Sequence, residues 1–418
     1  MSGSVRRRLL DDSPVTDPHR SLWRLPALRR LLLVSIVGFS SFFFTMSALP
    51  LWATQGGAGP AQAGLVTTVM LVATVAAQGL VPGIVARIGS GPALALGLVL
   101  LGAPSPLYAL SNQLVLLLPV SAVRGLGFAL LTVIGALLTS QVAPRERHGE
   151  TVGIYGLAVA LPNLLAMPAG VALTSAGQFR WVAVLSSASV LLAPAARGLG
   201  RLGTDPATAA APDGPAAERP GGSARRALLL AAAVPSLVLL VVTAAGGAVM
   251  TFLPIERPSG TLATICLLVM GATAALSRWR VGILADRFGS RVLLPGGVLI
   301  AVLGMTGVAF ALARGSAAEV LLVVSCSVLG VGYGVVQNLT LVIAFARAGD
   351  AGEASASAVW NAAFDSGTAL GAVGVGAIAE AGPGMPGAFG ITALIVALML
   401  PVAVRVAFLS TGRGGTGS

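Results

Sequence analysis

Ser277-Arg278-Trp279-Arg280-Val281-Gly282-Ile283-Leu284-Ala285-Asp286-Arg287-Phe288-Gly289-Ser290-Arg291 stands between two apolar runs, 261–276 and 292–312. A basic insert this short, between hydrophobic runs this long, reads as a tight turn at the cytoplasmic face of a membrane. Gly282 and Gly289 would let two helix ends approach closely. Asp286 offers a carboxylate to the arginines around it, or to the positive N-terminus of a neighbouring helix.

The rest of the chain agrees with a membrane setting. Of its 418 residues 56% are hydrophobic and only 10% charged, with a mean hydropathy of +0.90. A soluble domain carries roughly 25% charged residues, so this composition excludes a water-soluble protein. The basic residues are all arginines, and the net charge of +11 describes topology. The arginines are scattered among turns and line no single patch, which argues against nucleic acid as a partner. Cys266 and Cys326 lie inside apolar runs and read as buried thiols.

A spanning helix needs about 20 apolar residues. Runs of that size occur at 31–53, 61–85, 92–110, 113–141, 150–174, 180–197, 227–254, 260–281, 292–313, 318–346, 352–379 and 386–409. Residues 1–30 read as a cytoplasmic tail; the run after them is too long for the apolar region of a cleaved leader. Residues 198–226, rich in Pro, Gly and Ala, read as a cytoplasmic linker between a half at 31–197 and a half at 227–409, and 410–418 as a second cytoplasmic tail. With the N-terminus inside, only Arg180, Arg257 and Arg314 fall in external loops. The other loop and tail arginines are cytoplasmic, so an even number of spans with both ends inside is expected.

The halves read as repeats. Arg87-Ile88-Gly89-Ser90 matches Arg287-Phe288-Gly289-Ser290, Arg124-Gly125-Leu126-Gly127-Phe128 matches Leu329-Gly330-Val331-Gly332-Tyr333, and Gly149-Glu150 matches Gly352-Glu353. In the first-half loop Pro82, Ala86 and Gly91 stand where Gly282, Asp286 and Arg291 do, so gate chemistry is expected to rest on the second half.

The pattern Gly282-x-x-x-Asp286-Arg287-x-Gly289-x-Arg291 resembles the cytoplasmic loop signature of the major facilitator superfamily, which recurs between its helices 8 and 9. The resemblance implies an all-α membrane fold: twelve transmembrane helices in two six-helix pseudo-symmetric halves, with a substrate site between them near the midplane. It also implies a cytoplasmic gate made by those five residues. Arg124 falls at the basic position of the family's helix-4 motif and by that resemblance takes part in proton coupling; the other reading is an arginine that holds helix-end carbonyls. The stretch Trp360-Asn361-x-x-Phe364-Asp365-x-Gly367 resembles helix 11 of a subset of bacterial exporters in the family. Helix 5, Leu161-Pro162-Asn163 to Met167-Pro168-Ala169-Gly170, is only loosely similar to the signature of drug–proton antiporters.

An ionisable side chain inside a bilayer is costly, and each one asks for a function. Asp365 is the leading candidate for proton coupling, because a carboxyl in mid-span can hold a proton while desolvated and release it to entering water. Asn361 and Thr368 share its helix. Gln337, Asn338, Asn163, Gln78 and Thr45 are candidates for lining the same cavity, or for joining helices. No catalytic, nucleotide-binding or metal-ligating motif is present, so no enzyme, cofactor or metal is expected, and an ion gradient is the expected energy source. The expectation is a monomeric transporter in the cytoplasmic membrane that exports a small organic compound against protons. Uptake of a sugar or organic acid is the alternative, and a non-transporting membrane protein a distant third.

Overall fold

The computed structural model describes residues 25–142, 147–202, 222–257, 260–349 and 353–409. Within them the chain forms twelve helices long and apolar enough to cross a membrane, and no strand. In hydrocarbon every backbone N–H and C=O must be paired, and a helix does this within itself. In order these are α1 (Pro26–Met46, prolonged by Ala48–Gln55), α2 (Pro60–Gln78 and Val81–Ile88), α3 (Ser90–Gly102), α4 (Leu114–Val142), α5 (His148–Ser175) and α6 (Phe179–Ser187, prolonged to Leu202). The second half holds α7 (Gly222–Glu256), α8 (Thr261–Phe288), α9 (Ser290–Ala313), α10 (Glu319–Ala348), α11 (Glu353–Glu380) and α12 (Gly384–Ala397 and Leu400–Leu409).

The structure departs from the sequence expectations in three places. The stretch from Ser277 is not a turn: α8 runs unbroken to Phe288, and the chain reverses only at Gly289. Nothing in 277–288 breaks a helix, and Arg and Trp are both at home near a membrane interface. Gly282 is not a site of close approach either, since a side chain there would meet no atom within 4 Å. Helix also covers both ends of the expected linker, 198–202 and 222–226; residues 203–221 lie outside the described ones.

The repeat is visible in contacts. Gly89 (φ +83°, ψ 161°) and Gly289 (φ +73°, ψ 158°) make the same reversal, in a conformation open to glycine and strained for other residues. Gly125 of α4 lies against the Met70 carbonyl of α2, and Gly330 of α10 against the Met270 carbonyl of α8. Gly127 packs on Gly97 and Leu101 of α3, and Gly332 on Gly297 and Ala301 of α9. Small residues let these backbones touch, which is how helices associate where lipid offers no hydrophobic drive. Each half is thus built on the same three-helix wedge.

Twelve spans among the described residues put Pro26 and Leu409 on one face. The halves meet at the opposite face. Gly64 of α2 lies on the Ala372 carbonyl of α11, Gly376 on the backbone of Pro60 and Ala61, and Gly260 at the start of α8 on Ser175 at the end of α5. The Ala61 N–H donates to Glu380 Oε1 at 3.0 Å, capping α2 from the end of α11. Further in, Thr68 Oγ1 donates to the Ala369 carbonyl at 2.8 Å, and the last such bond towards the face of the chain ends joins Gln78 and Asp365. Gly79, Gly83, Gly153, Gly156 and Gly282, nearer that face, have open space where a side chain would stand, as do Gly57, Gly177 and Gly315 at the opposite one. The described contacts between the halves are thus gathered on the side away from Pro26 and Leu409.

Candidate functional site

α11 carries Trp360, Asn361, Phe364, Asp365 and Thr368 on successive turns. Asp365 is only 9% exposed, twelve residues into the helix, or about 18 Å along its axis. Its Oδ2 accepts a hydrogen bond from Gln78 Nε2 at 3.1 Å, so the carboxyl of one half meets an amide of the other. Among the described residues it has no cationic partner. Two candidates singled out separately in the sequence are thereby brought together.

Beside Asp365 stands Tyr333 of α10, buried, its ring 6.4 Å from that of Phe364. Phe364 in turn stacks on Trp360 at 5.8 Å, and Trp360 Nε1 donates to Thr340 Oγ1 at 3.0 Å. The Tyr333 hydroxyl faces Thr368 and Gln337 and lies within electrostatic reach of both Asp365 and Arg278. One turn on from Tyr333, Gln337 Oε1 accepts from an Arg278 Nη at 3.2 Å. Asn338 Nδ2 donates to the Arg278 carbonyl at 2.9 Å, tying α10 to α8. The result is a band of polar groups from α2, α8, α10 and α11 at the inner end of the contacts between the halves.

The other candidates sit elsewhere. Arg124 is wholly buried inside the first half. It donates to the carbonyls of Leu101 (2.6 Å) and Ser41 (2.7 Å) and to the hydroxyls of Thr45 (3.0 Å) and Ser105, and lies 5.6 Å from the centre of the Tyr108 ring. Thr45 is committed to this network and donates to the Phe42 carbonyl at 2.9 Å. Asn361 turns its amide back to Ser357 at 2.8 Å, and Thr368 donates to the Phe364 carbonyl at 2.9 Å. Asn163 is half-buried in α5. Of the gate motif, Gly282 and Asp286 lie in α8, Arg287 is exposed beside the Gly289 reversal, and the side chains of Asp286 and Arg291 lie outside the described ones.

Sequence reasoning missed Arg278, because it was assigned to the turn. A signal was there: Arg278 precedes Gly289 by as many residues as Gln78 precedes Gly89. In the sequence Tyr333 stands out only as the repeat partner of Phe128, and nothing there marks Glu380.

The Major Facilitator Superfamily model matches residues 31–372. Solved structures with the same fold include a bacterial homolog of the human lysosomal transporter Spinster in an inward-facing, unoccupied conformation. It is 17% identical, with 94% of this chain and 97% of that one covered and a TM-score of 0.73. The nucleoside transporter NupG is 14% identical, over 91% and 99%, with a TM-score of 0.69. A peptide transporter, POT, solved with sulfate, is 17% identical, over 93% and 97%, with a TM-score of 0.69. No curated protein sequence matches the chain. The family model spans most of the chain, and the helices, the repeat and the fold neighbours agree with it: this chain belongs to the Major Facilitator Superfamily of membrane transporters.

Proposed function

We propose that this transporter couples the movement of a small organic compound to protons, with Asp365 as the proton-carrying group and export as the direction. The observation that carries the reading is the Gln78–Asp365 hydrogen bond across the two halves. A carboxyl that meets an amide instead of a cation can take up or give off a proton without an ion pair being broken. Because the bond joins the halves at the inner end of their contacts, its protonation state bears on whether they stay together or part. Rocking of the halves about that level would alternately open the site to each side. The arginine distribution supports a cytoplasmic position for the face of Pro26 and Leu409, and with the cross-half contacts gathered at the other face it favours an inward-facing form, as in the Spinster homolog.

In this reading Arg124 is a clamp between α1, α3 and α4, since both its terminal nitrogens are bonded to carbonyls and hydroxyls within one half. Export rests on the helix-11 resemblance. One observation favours the second reading, uptake of an organic acid: Arg278, like Arg124, is an arginine set well inside a candidate span and not at its end, eleven residues before the Gly289 reversal. Expression in an efflux-deficient bacterial host, with a panel of toxic amphiphilic compounds, tests the direction. Tolerance that disappears in Asp365→Asn supports export; sensitisation that needs Asp365 supports uptake; full function of the variant removes Asp365 from the mechanism.

A further inference from the structure

We propose that Arg278 is the anion-recognising residue of the central site, and that the cargo carries a single carboxylate-type group on an apolar body. This rests on reading the space between the halves as the cargo site. Arg278 lies eleven residues before the Gly289 reversal, about 16 Å along α8 from that end of the helix. Its side chain is exposed to solvent yet ringed by protein, which is the situation of a group that lines a cavity. An arginine keeps its charge under all physiological conditions and presents a planar fork of five donors. Here only one Nη is engaged, with the Gln337 amide oxygen at 3.2 Å; no described acceptor meets the rest of the fork. No acidic side chain pairs with it among the described residues.

The repeat sharpens the point. Gln78 is the counterpart of Arg278 and meets Asp365 on α11. The stretch of α5 that corresponds to that part of α11, Leu157 to Leu165, holds no acid. The first half therefore supplies no carboxylate where the second supplies Asp365. Arg124 provides the contrast, since a structural arginine in this protein has both terminal nitrogens bonded to internal acceptors. Arg278 is instead held by its backbone, through Asn338, with its fork left free. A lone charge at this depth is costly to enclose when the halves close over it, and an anion from outside offsets that cost.

The charge balance selects the anion. One cation with no lysine and no second described arginine bonded to the same group suits a monoanion, and the planar fork suits a carboxylate. Tyr333 and Thr368 supply hydroxyls between Arg278 and Asp365, and half-buried Phe364 offers an aromatic face.

The test is equilibrium binding to the purified full chain in detergent, read by the shift of its thermal midpoint. Benzoate, 4-hydroxybenzoate and cinnamate are compared with their neutral amides. The wild type should be stabilised by at least one carboxylate and not by its amide. Arg278→Gln should lose that discrimination at least tenfold, and Arg278→Lys, which keeps charge but not the fork, should fall between. Asp365→Asn should keep it, so a fully gradient-driven Asp365→Asn protein with intact discrimination would sink the coupling role alone. If all three acids behave as their amides in the wild type, or if Arg278→Gln and Arg278→Lys both discriminate as the wild type does, the anion site is overturned.

Discussion

The two places where the halves cross, α2 against α11 and α5 against α8, are related by the repeat but are built differently. Along the first, glycines at 64 and 376 bring backbones into contact, Thr68 bonds the Ala369 carbonyl, and the seam continues inward to Gln78 and Asp365. Along the second, contact is close only at the far face, where Gly260 meets Ser175. Thr264 reaches the Pro168 carbonyl at 3.5 Å, and a methyl added at Gly271 would meet Leu164 only at ordinary van der Waals distance. The zipped crossing holds the proton-carrying candidate, and the loose crossing leaves a cation free. On the proposed function, the related bundles divide two tasks that strict symmetry would have duplicated.

The largest effect expected from breaking this division is at Asp365. Asp365→Asn keeps the shape and can still bond Gln78, but it has no proton to exchange. In proteoliposomes with an imposed pH gradient, driven transport should fall to about one hundredth or less, equivalent to about 2.7 kcal/mol, while exchange of labelled cargo without a gradient continues. A variant that still concentrates cargo would show that the seam is only a seam.

Glycine substitutions sharpen the comparison next. At Gly64 an added methyl collides with the Ala372 carbonyl and the Val373 backbone, which yield only if α2 and α11 separate. Gly64→Ala should cost about 1–3 kcal/mol, the range for overpacking a tight interior, seen as a lowered thermal midpoint. At Gly271 an added methyl would stand 3.5 Å from Leu164 Cδ1, its nearest neighbour, so it has room. Gly271→Ala should be neutral, or stabilising by up to about 1 kcal/mol through helix propensity. Equal losses at the two sites would mean that the crossings are equally tight.

Much of this was legible in the sequence, for local reasons. Twelve spans follow from run length, and the wedge glycines repeat at fixed offsets because the same backbone contacts are made twice. Asp365 and Gln78 drew notice because polar groups in lipid are expensive, although only the fold pairs them. What stayed hidden depends on helix rotation and helix ends. Thr45 and Thr368 look alike in sequence, yet one is spent on Arg124 inside a half and the other faces Tyr333. Arg278 was masked by charged neighbours that imitate a loop, since hydropathy falls off before the helix does.

The smallest expected effect lies at the closed face, where the zipped crossing begins. Glu380 at the end of α11 accepts the Ala61 N–H at the positive N-terminus of α2, with its carboxylate exposed to water. An exposed charge at a helix terminus is worth about 0.3–1 kcal/mol. Glu380→Gln keeps an acceptor and removes that charge, so it should move the population towards the form closed on the side of the chain ends by no more than about fivefold. Spin labels replacing Arg87 and Arg287, both exposed beside the reversing glycines, would report it, because the native Cys266 and Cys326 are wholly buried. Pulsed EPR should show a shorter distance component growing in Glu380→Gln. An unchanged distribution would mean that the glycine contacts alone keep this face shut, and that the charge at the end of α11 plays no part in holding the crossing closed.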